Sequence, residues 1–288
     1  TVAQLLIKES VPKYVQESAV EAIKFVGNNI ILPSDRSGFM NLYIYNMNGQ
    51  LQRTIGGKFD ITEVYGYDAK TGDVYYQAAA LAPTDRQVYV NHKNGKTERL
   101  TDAEGWNSAL FSGDYQYFIN TWSDYNTPYV YTTRTRAGKV ISTLQDNSQL
   151  RQTIKEYGFC KREAFSFTTS EGVTLNGWML RPLDFDASKR YPVIMHQYSG
   201  PGSQQVKNAW SAGSMGQGGA YDSYLAQQGF IVVSVDGRGT GGRGAEFEKC
   251  TYLNLGDLES RDQVETALYL GTLPYVDKNR IGIWGWSY

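Results

Sequence analysis

The sequence has few of the residues that build metal and disulfide sites. Its 288 residues include two cysteines, Cys160 and Cys250, and two histidines, His92 and His196. The cysteines lie far apart and in no metal-ligand spacing, so they define neither a metal site nor a redox compartment. We therefore expect two free thiols, no metal and no cofactor.

The sequence also has no excess of charge of one sign and no long apolar run. The 28 basic and 29 acidic residues nearly balance and form no basic block, which argues against a nucleic-acid partner. No apolar run approaches the roughly eighteen residues of a membrane helix, and the first residues lack the basic and apolar segments of a signal peptide. We expect neither an anchor nor a signal peptide in these residues.

Aromatic residues, by contrast, make up 14% of the chain and include 22 tyrosines. Rings with a polar edge suit half-buried strands, so we predict a β-rich first half. The length exceeds that of one average domain, which predicts a second domain after it.

Three stretches of the first half repeat one pattern: a strand ending in tyrosine, a tight glycine turn and a polar strand. The turn glycines Gly49, Gly95 and Gly138 are 46 and 43 residues apart, close to the period of about 40–50 residues of propeller blades. An antiparallel meander is the alternative, but the regular period favours blades, each made of four short antiparallel strands. A blade buries its faces only against neighbouring blades, so we expect the chain to begin inside a propeller. Residues 19–26 fit either a short helix or a strand.

The pattern changes after Asp146. A short helix predicted over residues 148–157 serves as a linker, and two strands, 164–168 and 173–180, should then form a hairpin. We predict propeller blades over residues 1–146, a linker over 147–160, and the first part of an α/β-hydrolase domain over 161–288.

Three apolar runs in the last segment, at 191–196, 230–235 and 280–284, lack polar alternation and are predicted to be buried parallel strands. A helix over residues 258–270 should connect the last two as a parallel crossover. Its apolar spacing predicts a buried face and an opposite solvent face. The predicted buried residues are Val264, Ala267, Leu268 and Leu270, and the predicted solvent-facing residues are Glu259, Asp262 and Glu265.

The sequence predicts a catalytic nucleophile at the end of the last strand. Gly-Trp-Ser-Tyr at 285–288 supplies four positions of G-x-S-x-G directly after an apolar strand, which is the context of a nucleophile elbow. The glycine allows a sharp turn that exposes the Ser287 hydroxyl for attack on a carbonyl. The alternative is an ordinary surface serine.

Together with two upstream motifs, this elbow resembles the dipeptidyl peptidase IV branch of the prolyl oligopeptidase family. The motifs are Tyr-Ser-Gly-Pro-Gly-Ser-Gln at 198–204 and Asp-Gly-Arg-Gly-Thr-Gly at 236–241. The resemblance spans residues 160–288 and extends weakly back through the blades. It implies the last blades of a β-propeller followed by a partial α/β-hydrolase domain that ends at the nucleophile elbow.

The resemblance also implies a role for each motif residue. Ser287 matches the nucleophile, and the Tyr198 hydroxyl and the backbone N–H of Tyr288 match the oxyanion hole. The Tyr288 side chain matches a wall of the pocket for the residue before the scissile bond, and Trp286 is expected beside the elbow. An aromatic wall suits proline or alanine. The partners implied are peptides with a free N-terminus. A buried core tyrosine is the alternative for Tyr198.

Other parts of the machinery are not in these residues. The acid and the histidine of α/β-hydrolases follow the serine, and neither His92 nor His196 occupies that place, so we predict two structural histidines and an inactive chain. The acidic residues that hold the substrate's amine would lie upstream. Tripeptidyl and acylaminoacyl peptidases share the elbow, and a non-catalytic propeller interaction module is the alternative of another class. The family suggests a periplasmic, cell-surface or secreted protein and allows a homodimer of the complete form.

A dinucleotide fingerprint also occurs in the sequence. Residues 237–242 satisfy G-x-G-x-x-G, and Asp262 follows at the expected distance. That site needs the acid at the end of a strand, whereas Asp262 falls in the predicted helix. We therefore interpret the glycines as shaping a loop, in which Asp236 and Arg238 hold neighbouring loops by charge-assisted hydrogen bonds.

Overall fold

The structure is a computed structural model that describes residues 3–215 and 219–288. The chain forms two compact units. Unit 1 contains residues 3–121 with Tyr131–Leu144 and Gly242–Glu246; unit 2 contains Trp122–Val130, Gln145–Gly241 and Phe247–Tyr288. These units do not coincide residue by residue with the predicted domains, whose boundaries remain a prediction.

Unit 1 consists of three sheets, each made of four strands consecutive in the chain. Strands β1–β4 pair antiparallel, as do β5–β8. The turn glycines Gly49, Gly95 and Gly138 each join the third and fourth strands of a sheet, with φ of 76°, 89° and 85°. The predicted four-stranded repeat is confirmed. The strands are β1 Lys24–Val26, β2 Asn29–Ser34, β3 Asn41–Asn46, β4 Leu51–Ile55, β5 Ile61–Asp68, β6 Asp73–Ala78, β7 Gln87–Asn91, β8 Thr97–Arg99, β9 Trp106–Phe111, β10 Tyr117–Ser123, β11 Val130–Thr135 and β12 Val140–Gln145.

The segment that fitted both a helix and a strand contains both. Helix α1 (Glu17–Glu21) is one short turn, and β1 follows it as the edge strand of the first sheet. Five residues are too few for a stable isolated helix, so the β-branched and aromatic residues after it are free to pair with β2.

Unit 2 is built on a mixed five-stranded sheet in the order β13-β14-β16-β15-β17. The predicted hairpin, β13 with β14, is antiparallel, and β15 pairs parallel with both β16 and β17. The predicted parallel strands and crossover are confirmed. The remaining elements are α2 Ser148–Glu156, β13 Arg162–Thr168, β14 Thr174–Leu180, β15 Tyr191–Gln197, α3 Ala220–Gln227, β16 Ile231–Asp236, α4 Ala245–Glu248, a 3-10 turn Lys249–Thr251, α5 Asp257–Thr272 and β17 Val276–Gly285.

The last strand is exposed rather than buried within these residues. Most residues of β17 are exposed, including Ile283 at 62% and Trp284 at 46%. Among residues 3–215 and 219–288, β17 is the last strand in the order of the sheet and pairs with β15 alone. Apolar composition therefore predicted the pairing of this strand but not its burial.

The predicted faces of the crossover helix are also wrong. In α5, Glu259 and Asp262 are buried, whereas Val264 and Leu268 are 59% and 63% exposed. Only Leu270 of the predicted apolar face is fully buried. The buried polar side chains have partners inside unit 2, described below, and these partners offset the cost of removing them from water. Among the described residues, no helix has the length and apolar character needed to cross a membrane.

Candidate active site

The predicted nucleophile lies in a sharp turn at the end of β17. Gly285 pairs with Gln197 of β15, and a Cβ atom at Gly285 would lie 2.7 Å from the Gln197 carbonyl oxygen. No side chain fits in that space, so the first position of the motif must be glycine. Two residues later Ser287 has a φ of 69°, in the left-handed region that non-glycine residues rarely adopt. A strained serine directly after a parallel strand is the geometry of a nucleophile elbow.

Tyr198 lies at the same edge of the sheet as Ser287. It directly follows β15, whose last residue pairs with Gly285 of β17. Since the two strands are parallel, both residues follow carboxyl ends at one edge. The Tyr198 side chain is partly buried, and its ring lies against Gly200, where an added Cβ would be 2.8 Å from a ring carbon. That the two hydroxyls face one cavity remains a prediction.

Tyr288 and Trp286 flank the serine but lie in different surroundings. The Tyr288 hydroxyl donates a hydrogen bond to Oε1 of Glu259 at 2.8 Å, and its side chain lines a cavity of about 700 Å³ beside α5 and β17. Partial burial, and next the Glu259 carboxylate, raise the pKa of the Tyr288 phenol. Trp286 is 79% exposed. Their assigned roles in the site remain predictions.

Glu259 is a residue of this region that the sequence argument placed on the wrong face. It is 4% exposed, and its Oε2 accepts the backbone N–H of Gly256 at 2.9 Å, which caps the start of α5. Its other oxygen is the acceptor for Tyr288. The spacing of Gly256 and Glu259, an N-cap followed three residues later by glutamate, was the available sequence signal.

Both histidines contact polar groups within their own units. His92 in unit 1 has Nδ1 3.2 Å from Asp73 and Nε2 3.5 Å from Glu98. His196 in unit 2 is 8% exposed, with Nδ1 2.9 Å from the Gly213 carbonyl oxygen and its ring 5.1 Å from that of Trp284. Burial lowers the pKa of His196. These surroundings agree with the structural roles expected for both.

Asp262, the acid of the dinucleotide fingerprint, is fully buried within α5 and engaged by Arg238. Its Oδ2 accepts the backbone N–H of Arg238 at 2.6 Å, and its Oδ1 accepts from Nη2 of the same residue at 2.7 Å. Arg238 also donates to Glu171, in the turn between β13 and β14, at 2.7 Å. Hydrogen bonds donated to Asp262 raise the pKa of Arg238, and Arg238 in turn lowers the pKa of Glu171. The interpretation of Arg238 as a residue that holds neighbouring segments is confirmed.

No group of three or more His, Cys, Asp or Glu side chains in the described part of the chain is arranged to hold a metal ion.

Two family models match the chain, one in each part. The N-terminal region of dipeptidyl peptidase IV matches residues 1–129, and the prolyl oligopeptidase family matches residues 220–288. The second match contains the whole of β17 and the elbow.

Similar proteins extend the match over nearly the whole chain. Dipeptidyl peptidase 4 of Trichophyton equinum is 33% identical over 264 residues, and that of Arthroderma otae 32% over 261; each alignment covers 88% of this chain and 33% of the relative. The crystal structure of Porphyromonas gingivalis dipeptidyl peptidase 4 superposes with a TM-score of 0.94 and 42% identity, over 100% of this chain and 40% of that one. The chain thus spans about a third of the length of its curated relatives. Its four-stranded sheets are propeller blades, its mixed sheet is part of an α/β-hydrolase domain, and the chain belongs to the dipeptidyl peptidase IV branch of the prolyl oligopeptidase family.

Proposed function

We propose that this chain is part of a serine exopeptidase that releases dipeptides from peptide N-termini. The observation that carries the proposal is the left-handed conformation of Ser287 directly after a parallel strand. The names of its similar proteins, dipeptidyl peptidase 4, agree with this activity.

Ser287 is the proposed nucleophile. Its Oγ attacks the carbonyl carbon of the second peptide bond of the substrate while a base takes the hydroxyl proton. The tetrahedral intermediate then expels the amine of the shortened peptide, which takes up the proton from the base, and leaves the dipeptide as an ester on Ser287. Water hydrolyses this ester, which releases the dipeptide and restores the serine hydroxyl. Tyr198 and the backbone N–H of Tyr288 are the proposed donors to the oxyanion, and each such donor lowers the barrier by about 3–4 kcal/mol.

Proline or alanine is the proposed residue before the scissile bond, because Tyr288 would form a flat aromatic wall of its pocket. Release of tripeptides or of acylated residues is the alternative that the same elbow would support.

The test uses a form of the protein extended to include the catalytic acid and histidine. Chromogenic amides of Gly-Pro, Gly-Ala, Gly-Leu, Gly-Gly-Pro and N-acetyl-Gly-Pro are compared, with Ser287→Ala as the nucleophile variant and Ser188→Ala, an exposed loop serine, as its control. We expect Gly-Pro and Gly-Ala to be cleaved, and Ser287→Ala to lower kcat by at least about a thousandfold. Equal activity of Ser287→Ala would refute the proposal, and preferred cleavage of the tripeptide or acetylated amide would replace it with the alternative.

The 288 residues alone are proposed to be inactive. A serine hydroxyl needs an adjacent base that is oriented by a third group, and both histidines of the chain have structural surroundings. We expect the isolated chain to release no chromophore from the Gly-Pro amide above the Ser287→Ala background. Serine-dependent turnover would show that a base exists within these residues.

A further inference from the structure

Two loops at the carboxyl edge of the unit 2 sheet are hydrogen-bonded to each other. We name residues 198–206, which follow β15, the tyrosine loop, and residues 236–241, at the end of β16, the glycine loop. The N–H of Gly202 donates to the Gly239 carbonyl at 2.9 Å, and the N–H of Gly241 donates to the Ser203 carbonyl at 2.8 Å. The backbones approach so closely that a Cβ atom at Gly241 would lie 2.7 Å from the Gly202 carbonyl oxygen.

The Asp236 carboxylate also links the same two loops by hydrogen bonds. It is the last residue of β16 and is 5% exposed. Its Oδ1 accepts the N–H of Gln205 at 2.9 Å, and its Oδ2 accepts the N–H of Val206 at 2.8 Å. Hydrogen bonds to an ionised acceptor are roughly twice as strong as those between neutral groups. The tyrosine loop is therefore fixed at one end by the β15 pairing and at the other by this carboxylate.

Tyr198 stands at the start of the loop that Asp236 holds. We propose that Asp236 is a positioning residue for the Tyr198 hydroxyl: its carboxylate fixes the tyrosine loop in the conformation in which Tyr198 meets the oxyanion. The inference rests on the proposed function, because it concerns the same reaction. An oxyanion donor acts only when it is placed within about half an ångström of its productive position, so a loop with one end released should lose much of that effect.

Asp236→Asn is the variant that tests this role. The amide keeps the size of the side chain but removes its charge and one acceptor oxygen. The N–H groups of Gln205 and Val206, 3.1 and 2.8 Å from Oδ2, must then share one neutral oxygen, which weakens both hydrogen bonds. In the extended active protein we expect kcat for the Gly-Pro amide to fall about 10–100-fold with little change in KM, since the lost interaction is one made in the transition state.

A double-mutant cycle separates positioning from general loss of structure. If Asp236 acts through Tyr198, Asp236→Asn costs about 10–100-fold in the parent but less than about threefold in the Tyr198→Phe background, where no hydroxyl remains to be positioned. The matched control is Asp68→Asn, a buried unit 1 carboxylate that accepts the backbone N–H of Lys70 at 2.9 Å. We expect that variant to leave kcat within about twofold in both backgrounds.

Gly241→Ala provides a second route if Asp236→Asn does not fold. Gly241 has no positive φ, so alanine strains the structure through the close approach to Gly202 alone, and the same dependence on Tyr198 is expected. Equal fold-losses with and without the Tyr198 hydroxyl, for both variants, would overturn the positioning role while Ser287→Ala still abolished activity. Full activity of Ser287→Ala would instead refute the proposed function.

Discussion

A buried amide network in unit 1 and two buried ion pairs in unit 2 represent two different kinds of polar interior. In unit 1, amides of the second and third sheets form a neutral network: Gln77 donates to the Asn107 carbonyl at 2.6 Å, and Oε1 of Gln87 accepts from Thr101 at 2.6 Å and from Asn107 at 3.1 Å. In unit 2, the buried polar groups include ion pairs. Arg238 with Asp262 is 12% and 0% exposed at the side chain, and Arg162 with Asp222 is 5% and 0% exposed.

This difference has consequences for stability. A neutral amide network does not titrate, and truncating one member leaves an unpaired dipole. A buried ion pair contributes little net stability when intact, but removing one partner leaves an uncompensated charge. The ion pairs of unit 2 should therefore respond more strongly than the amide network of unit 1 to single substitutions and to pH.

Asp262→Ala should have the largest effect. It leaves the Arg238 guanidinium without its main buried partner, so we expect a loss of about 3–5 kcal/mol in the free energy of unfolding of unit 2. Urea unfolding of the 288-residue chain, followed by tryptophan fluorescence, measures this loss. Asp257→Ala is the control on the same helix, because its pair with Arg261 is exposed; it should cost less than about 1 kcal/mol. Equal losses for both variants would contradict the comparison.

The distance along the chain between contacting residues explains which elements could be predicted from the sequence. The blades could be, because a turn such as Asn94-Gly95 specifies a hairpin by itself, and Gly95 has the positive φ that the turn requires. The helix α5 could not be oriented, because the partners of its buried side chains come from distant segments. Arg238 lies 24 residues before Asp262, and apolar periodicity contains no information about that pairing.

The candidate site likewise contains a part with local contacts, which could be predicted, and a part with distant contacts, which could not. The elbow is local, so Gly285 and Ser287 could be located from four residues and the strand before them. The contacts of the tyrosine loop are not local: Asp236 reaches Gln205 across 31 positions. The sequence suggested that Asp236 holds a neighbouring loop, but it did not identify the loop of Tyr198 as the one held.

Asp222→Asn should change how stability depends on pH. Burial raises the pKa of Asp222 to about 6, although Arg162 opposes the shift. An acid whose folded pKa lies above its unfolded value of about 4 contributes stability that is present below pH 4 and is lost as pH rises through 6. The slope cannot exceed about 1.4 kcal/mol per pH unit, so the total is at most about 3 kcal/mol.

The measurement is the unfolding free energy of both proteins between pH 4 and 7. We expect the parent to lose stability relative to Asp222→Asn as pH rises across that window, whatever the offset between the two proteins. His196 titrates in both and cancels in the difference. Parallel pH profiles would show that Asp222 stays ionised beside Arg162.

Asn107→Ala tests the neutral interior of unit 1. Asn107 is fully buried, donates to the Ala103 carbonyl at 3.0 Å and accepts from Asn120 at 3.2 Å. Its truncation leaves buried groups without partners, so we expect a loss of about 1–3 kcal/mol that is the same at pH 4 and pH 7. A pH-dependent loss would mean that charged groups take part in the network. Asn107→Asp is the matched variant, in which a titrating carboxylate should introduce the pH dependence that the neutral network lacks.

Leu268→Gln should have the smallest effect on stability and is the sharpest test of the α5 surface. Leu268 and Val264, four residues apart, lie on the exposed face of the helix. Leucine and glutamine have similar helix propensities, so the unfolding free energy should change by less than about 0.5 kcal/mol.

Leu270→Gln, two residues further along the helix but at a fully buried position, should cost more than about 2 kcal/mol, because it loses apolar burial and brings an unpaired amide into the core. Exposed apolar side chains also promote self-association. Leu268→Gln should therefore raise the highest concentration at which sedimentation velocity shows the 288-residue chain to be monomeric. If Leu268→Gln instead destabilised unit 2 as much as Leu270→Gln, the apolar side of α5 would be its packed side after all.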